Sequence, residues 1–535
     1  MATFDFNFRH YISLSSFGLF IILSCAKITS CAKPNVIIFF ADDMGFGDLP
    51  VYGHPTSYSP SLNKLANNGL VFTQFYVSSP ICTPSRAGLL TGRYATRSGT
   101  YPDTFKPDDI GGLPLNETTI AEALKPVGYR TGMIGKWHLG YGKDGQYQPS
   151  HQGFDWYYGI PYTHAECSCG PCYYPDAPCD LGNCQPQYVH CPLFANTTIV
   201  EQPVDLLTLD AKYAALATDF IRFNAQEQTP FFLYYAFHHL HIPIYSGKNF
   251  TKSTIRGHYG DALAELDWAV GEVMDTLEAL NIDNNTLIFF SSDNGPALAL
   301  KQLGGSAGLL KCGKSTTYEG GPRVPGIAYW PGRITPGYTT ELASTLDLLP
   351  TICSIAEAPL PLATLDGVDI SRVLFRGQTS PRETFYYYPG EPEPYVGVYA
   401  VRFKQFKAHF FTSGAGNSVS SDPDCKPGNF RLRKPPLLFD LHEDPSEQFD
   451  IAGRPEYEGL LQKMIQLKRD FDYNMVWAPS QINRGQNEEY QPCCKAGCTE
   501  QLVKCCQCDA LDGMPQVFRS HLYSRPSNIE VMKQL

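Results

Sequence analysis

Four apolar runs, each closing on a cluster of polar side chains, constrain this chain more than any other feature. Val36-Ile37-Ile38-Phe39-Phe40-Ala41 runs into Asp42-Asp43, and Leu287-Ile288-Phe289-Phe290 leads to Asp293-Asn294-Gly295. Phe231-Phe232-Leu233-Tyr234-Tyr235 precedes His238, His239 and His241, and the run 129–134 precedes Lys136 and His138. Continuous runs rich in β-branched and aromatic residues read as strands buried on both faces. Amphipathic stretches between them, 118–124 and 263–280, read as helices. The expected fold class is therefore α/β, a large sheet flanked by helices. Such sheets take their ligands beyond the carboxyl ends of the strands, so acids, amide, lysines and histidines should meet on one rim.

The chain has 535 residues, 43% hydrophobic and 18% charged, enough for a large core and two domains and unlike a disordered or collagen-like composition. A formal charge of −11 without any Lys/Arg block excludes a nucleic-acid partner. Arg9 and His10 precede an apolar run over 11–25, too short and too rich in serine to span a membrane. This reads as a signal peptide within 1–32, cleaved between Ala26 and Lys33, with no later transmembrane span and a soluble product in the secretory pathway. Eighteen cysteines agree with an oxidising compartment. Removing Cys25 and Cys31 with the signal leaves sixteen, and an odd fifteen are left to pair if Cys82 is not among them. One free thiol is then expected, and Cys353, directly after the apolar stretch 346–352, is the candidate. Most of the others fall in two groups, Cys167–Cys191 and Cys493–Cys508, read as disulfide-stapled loops of open connectivity. Sequons at Asn116, Asn196, Asn249 and Asn284 are candidate glycosylation sites on surface loops.

Asp42, Asp43, Asp293 and Asn294 make an all-oxygen donor set, suited to calcium or magnesium and poorly to zinc. In an extended segment His239 and His241 share a face while His238 points away. His138 and His241 are therefore weighed as functional and His238 as packing. Gly308-Leu309-Leu310-Lys311-Cys312-Gly313-Lys314-Ser315 matches the phosphate-loop pattern, but the flanking Gly-rich and Pro-containing segments supply neither the strand nor the helix that loop requires, so a nucleotide site is rejected. Pro84 suits a first helical turn, which places Cys82 at a helix N-terminus, where free N–H groups and the dipole favour an anion. Arg86, four residues on, projects from the same face.

The stretch Cys82-Thr83-Pro84-Ser85-Arg86, followed by Leu89-Leu90-Thr91-Gly92-Arg93, resembles the sulfatase signature. The resemblance extends through Gly135-Lys136-Trp137-His138-Leu139-Gly140, His151-Gln152-Gly153-Phe154 and Thr316-Thr317-Tyr318-Glu319-Gly320-Gly321, and so covers nearly the whole chain after Pro34. It implies an alkaline-phosphatase-like α/β catalytic domain over 33–376 and a smaller domain on an antiparallel sheet over 377–535, with a cysteine-rich end. In the smaller domain 386–388, 396–403 and 406–412 read as strands and 456–471 as a helix.

The resemblance also implies a chemistry. Cys82 becomes formylglycine through a formylglycine-generating enzyme, and one hydroxyl of the hydrated aldehyde attacks sulfur to give a covalent sulfate ester. Asp42, Asp43, Asp293, Asn294 and position 82 itself would hold one calcium ion. Arg86 and Lys136 steady the hydrate, Lys136, His241 and Lys314 bind sulfate, and either His241 or Lys314 protonates the departing alcohol. His138 helps to remove a proton from the second hydroxyl. Thr163 stands where the family has a serine in its sulfate pocket, and the loop 167–191 departs from the family pattern.

The expected activity is hydrolysis of aryl sulfates or sulfated glycolipids, with sulfated N-acetylgalactosamine glycans as the alternative. A lysosomal address, with secretion as the alternative, a homodimer and a lipid-presenting partner are further expectations. A phosphatase on the same scaffold would want Ser or Thr at position 82 and transition-metal ligands. A non-catalytic binding protein would not be expected to keep the whole polar set.

Overall fold

The computed structural model describes residues 33–168, 185, 187–495, 506 and 508. The expected signal peptide, residues 169–184 within the Cys167–Cys191 group and the last residues of the cysteine-rich end lie outside the described residues.

Eleven strands form one mixed sheet. They are β1 (Asn35–Ala41), β2 (Leu70–Tyr76), β3 (Arg130–Gly135), β4 (Trp156–Gly159), β5 (Leu193–Ala195) and β6 (Thr198–Glu201). After these come β7 (Phe231–Ala236), β8 (Thr286–Ser292), β9 (Arg323–Tyr329), β10 (Gly337–Thr339) and β11 (Ala343–Ser344). The order is β10-β2-β9-β8-β1-β7-β3-β4-β5-β6, with β11 beside β2. β1 lies parallel to both β7 and β8, and β3 lies parallel to β7. In register, Phe40 faces Ala236 and Ser291, and Ala236 faces Gly135 on its other side. The four strands expected from the apolar runs thus end level with one another, and their polar clusters leave from the same edge.

Alternation along β1 sets the two layers. Ile37, Phe39 and Ala41 pack with the helices Leu209–Gln226 and Gly257–Ala279 on one face. Val36, Ile38 and Phe40 pack with the helices Cys82–Thr91, Ile120–Leu124 and Leu348–Ala356 on the other. Each fully buried Phe, Ile or Leu contributes about 1.5–3 kcal/mol. The helix expected over 263–280 starts six residues earlier, at Gly257, and the one expected over 118–124 starts at Ile120, capped by the Thr119 side chain.

A second sheet of four antiparallel strands follows: β12 (Thr384–Tyr387), β13 (Ala400–Phe403), β14 (Phe406–Thr412) and β15 (Arg431–Asp440). The helix Glu458–Asn474 packs Leu461 and Met464 against its Val401 and Ala408. β13 is shorter than the run 396–403 suggested, because the chain turns at Val396 and Gly397, whose N–H groups both donate to the Glu393 carbonyl. Among the described residues Cys82 and Cys353 are free, and disulfides join 167–191, 312–425, 493–506 and 494–508. The Cys312–Cys425 bond belongs to neither expected group. It ties the segment carrying Lys314 to the C-terminal region. No helix among the described residues is long and apolar enough to cross a membrane.

Candidate active site

The strand ends are stitched together beyond the sheet. Asp42 N–H donates to the His239 carbonyl at 2.8 Å and Lys136 N–H to the Ala236 carbonyl at 2.8 Å. Asp43, at φ 59°, gives its N–H to Asp293 Oδ1 at 3.1 Å. Asn294 Nδ2 donates to Asp43 Oδ1 at 2.7 Å, so Asp42, Asp43, Asp293 and Asn294 gather as the sequence suggested, all buried.

Cys82 opens its helix, as expected, with Pro84 in the first turn. The backbone must come very close here, since a Cβ on Gly88 would sit 2.0 Å from Ser78 Oγ. Cys82 Sγ lies 3.7 Å from Asp42 Oδ1 and 3.6 Å from Lys314 Nζ. Burial pushes its thiol far above the usual range, although Lys136 and Lys314 pull the other way. The unmodified side chain is thus a protonated thiol and a poor nucleophile. Arg86 sends Nε and Nη2 to Asp293 Oδ2, at 3.1 and 2.7 Å, and Nη1 to the Lys136 carbonyl. Its guanidinium braces the carboxylate cluster.

Lys136 Nζ meets Asp42 Oδ2 at 2.5 Å and Lys314 Nζ meets Asp43 Oδ1 at 2.6 Å. Three buried carboxylates are answered by three buried cations, Arg86, Lys136 and Lys314. Burial alone would raise Asp43, but Lys314 and His241 hold it well below the usual carboxylate range. Asp293 is raised by burial and by Asp42 beside it. Asn294 Oδ1 is buried with no hydrogen-bond partner. An orphaned oxygen among hard carboxylate donors is the arrangement a calcium-like cation would satisfy.

The histidines separate. β7 ends at Ala236 and the chain turns, with His241 N–H donating to the His238 carbonyl. His239 and His241 therefore do not share a face, because the segment is not extended. His241 approaches Asp43 Oδ2 at 3.8 Å, whereas His239 sits between Asp210 Oδ2 and Glu265 Oε2 at 3.3 and 3.2 Å. His238 stacks on Tyr213 with both ring nitrogens buried and unpartnered, the packing role expected of it. His241 Nδ1 is 2.6 Å from the Ile242 carbonyl, and burial together with Lys314 lowers its pKa to about 3. His138 Nε2 is 3.2 Å from the Phe105 carbonyl, which assigns the ring proton to Nε2 and leaves a bare, unpartnered Nδ1. Burial, Lys136 and Arg86 hold His138 neutral.

These groups face a cavity of about 200 Å³ lined by Cys82, His138, Thr163, His241 and Lys314. Thr163 is buried and caps the turn His164–Glu166 through its hydroxyl oxygen. Lys106 and Glu166 line the same cavity and were missed by sequence reasoning. Their carboxylate–ammonium contact is 2.5 Å, and Glu166 Oε2 stands 3.9 Å from His138 Nε2. Burial lifts Glu166 to about 7 against the pull of Lys106. Nothing in the sequence pairs residues sixty positions apart. The segment 308–315 that mimics a phosphate loop is a series of turns with no helix after it.

Comparison with known proteins agrees with this geometry. The sulfatase family model matches residues 34–358, and a model of the C-terminal region of aryl-sulfatase matches 380–508. The chain is 47% identical over 492 residues to arylsulfatase A of Homo sapiens, covering 90% of this chain and 97% of that protein. Identity is 36% to N-acetylgalactosamine-6-sulfatase of Canis lupus familiaris, covering 87% of this chain and 91% of that protein. Among solved structures, the PsFucS1 sulfatase from Pseudoalteromonas sp. aligns with a TM-score of 0.69 and 26% identity, over 83% of this chain and 92% of that one. With a polar rim of this composition on an α/β sheet of this kind, the chain belongs to the sulfatase family and is a sulfuric ester hydrolase.

Proposed function

We propose that the protein hydrolyses sulfate esters with a formylglycine made from Cys82 and with one calcium ion held by Asp42, Asp43, Asp293, Asn294 and the oxidised side chain at 82. The observation that carries this reading is Cys82 itself, at a helix N-terminus beside two ammonium groups yet driven strongly toward the neutral thiol. A cysteine that cannot ionise has no use as a thiolate here, while an aldehyde hydrate at the same place would present oxygen to the cation-lined pocket. When bound, calcium would neutralise the three carboxylates and polarise sulfate oxygens.

The chain's own side chains divide the remaining work. Lys314 stays protonated, raised by Asp43, and anchors the sulfate as a fixed charge. Lys136, buried against Asp42, supplies a second positive charge. His241 is neutral in the free site, and the entering anion favours its protonation, so we assign it the proton delivered to the leaving alcohol. His138 keeps Nδ1 bare through its bond to Phe105 and is the base of the second half-reaction. Thr163 completes the pocket wall, and Arg86 positions Asp293 and Lys136.

As natural substrate we propose a sulfated galactolipid, the arylsulfatase A likeness favouring it over the sulfated N-acetylgalactosamine glycans suggested by a less similar relative. The reading includes catalytic and C-terminal domains meeting near residue 376, a lysosomal address, a homodimer and a lipid-presenting partner. The test is the intact mass of the proteolytic peptide containing residue 82, from protein expressed through a secretory pathway. A mass matching formylglycine supports the mechanism. An unmodified cysteine from a competent host overturns it.

A further inference from the structure

A second cavity, of about 730 Å³, shares no lining residue with the catalytic pocket. Its apolar wall is Phe250 and Trp268, whose ring centroids lie 5.7 Å apart, and Asp205, Thr208 and Glu265 supply polar groups. Asn249 is itself part of the lining and begins the sequon Asn249-Phe250-Thr251. The sequon occupies a tight turn in which the N–H groups of Phe250 and Thr251 both donate to the Gly247 carbonyl, at 2.9 and 3.1 Å. Asn249 is exposed at the apex of that turn. The acceptor asparagine is thus accessible from outside and stands in the rim of an aromatic-walled cavity.

We propose that an N-glycan on Asn249 folds back into this cavity, its first N-acetylglucosamine units packing on Trp268 and Phe250. A pyranose ring offers an apolar C–H face to aromatic rings and hydroxyls at its edge, which matches a wall of two rings flanked by carboxylates and a threonine. The tether keeps the sugar at high local concentration, so a weak contact suffices to seat it. Attachment joins Asn249 Nδ2 to C1 of the oligosaccharide, with a lipid-linked diphosphate as leaving group and loss of one amide proton. The seat has a consequence for the catalytic side. Glu265 reaches from this wall to His239 at 3.2 Å and accepts from Gly247 N–H at 2.9 Å, so it backs the turn that presents His241. Both members of that pair are already buried, so a seated glycan would act on the turn at Gly247 that Glu265 holds.

The experiment uses the full-length protein made in a glycosylating secretory host, with site-resolved glycopeptide mass spectrometry before and after amidase digestion. Asn249 should be occupied, and its glycan should leave the native protein at least about tenfold more slowly than the denatured protein, the mark of a site that opens rarely. Trp268→Ala should remove most of that protection. An unoccupied Asn249, equal release from native and denatured protein, or protection unchanged in Trp268→Ala would each overturn the proposal. Should Trp268→Ala fail to fold, Asn249→Gln provides the second reading. Amide exchange over residues 247–251 should rise when the glycan is missing, and unaltered exchange refutes the seat. None of these readouts depends on sulfatase turnover.

Discussion

Two buried clusters in this molecule have nearly the same ingredients and opposite characters. At the strand ends, Asp42, Asp43 and Asp293 meet Arg86, Lys136 and Lys314. Where the second sheet packs on the first, Glu319 and Glu447 meet Lys407, Arg323 and His409. In the second cluster every carboxylate oxygen is occupied by donors from the protein. Glu319 takes the Tyr76 hydroxyl, Arg323 and Lys407, while Glu447 takes His409, Lys407 and the Glu319 N–H. In the first, a cavity opens beside the charges, and Asn294 Oδ1 and His138 Nδ1 are left without partners. Burial and charge pairing are therefore common to both. His409 Nδ1 in the second cluster is unpartnered as well, so what marks the working site is the cavity beside its charges, lined by Cys82, His138, His241 and Lys314.

The sharpest break of that comparison is at Cys82. Cys82→Ala and Cys82→Ser should both lower turnover by about 10⁴-fold or more while leaving the melting temperature nearly unchanged, since the side chain is a nucleophile precursor and holds little of the fold. Wild-type rates in the serine variant would refute the formylglycine reading. The structural cluster should behave in reverse. Lys407→Met strands two buried carboxylates and should cost about 3–5 kcal/mol of stability, read by denaturant unfolding, with turnover per folded molecule little altered. A large fall in turnover per folded molecule would mean that the two clusters are not separable. Asp42→Ala sits between these extremes. It should abolish metal retention as well as activity, checked by calcium content after gel filtration, and unchanged content would remove Asp42 from the ligand set.

How much of this was legible in the sequence follows from the same contrast. The first cluster announces itself because each member ends an apolar run, and a strand delivers whatever follows it to the sheet edge. The second gives no such signal, because Glu319, Lys407 and Glu447 come from loops and strands whose meeting depends on how the two sheets pack. The Cys312–Cys425 bond was missed for that reason, and the Lys106–Glu166 pair because two loops of the first sheet meet only in the folded chain. His239 was misplaced for a local one. A period of two was carried past Ala236, where β7 has ended and the turn sends His239 back to Asp210 and Glu265. Sequence reading succeeded inside regular secondary structure and failed where a strand had already ended or where only tertiary packing positions a residue.

Glu166 offers the finest test, because it carries a titratable charge on the wall of a pocket built for anions. Its carboxyl is raised to about 7, first by burial, with Lys106 opposing. Below that value it is neutral, and above it a negative charge stands beside His138 and faces the incoming sulfate. The sign is fixed. Ester binding weakens as pH rises through about 7, so KM should climb on the alkaline side. At an effective dielectric of about 20, a unit charge several ångström away is worth on the order of 2 kcal/mol, and Lys106 offsets part of it, leaving about tenfold in KM. Glu166→Gln keeps the shape and removes the titration, so its KM should stay flat between about pH 6 and about pH 8.5, where the wild type rises. Inhibition by inorganic sulfate should follow the same pattern, because the effect acts on the anion and not on the alcohol. A KM that climbs equally in Glu166→Gln would assign the alkaline limit to another group and return Glu166 to the class of buried charges that only hold the fold.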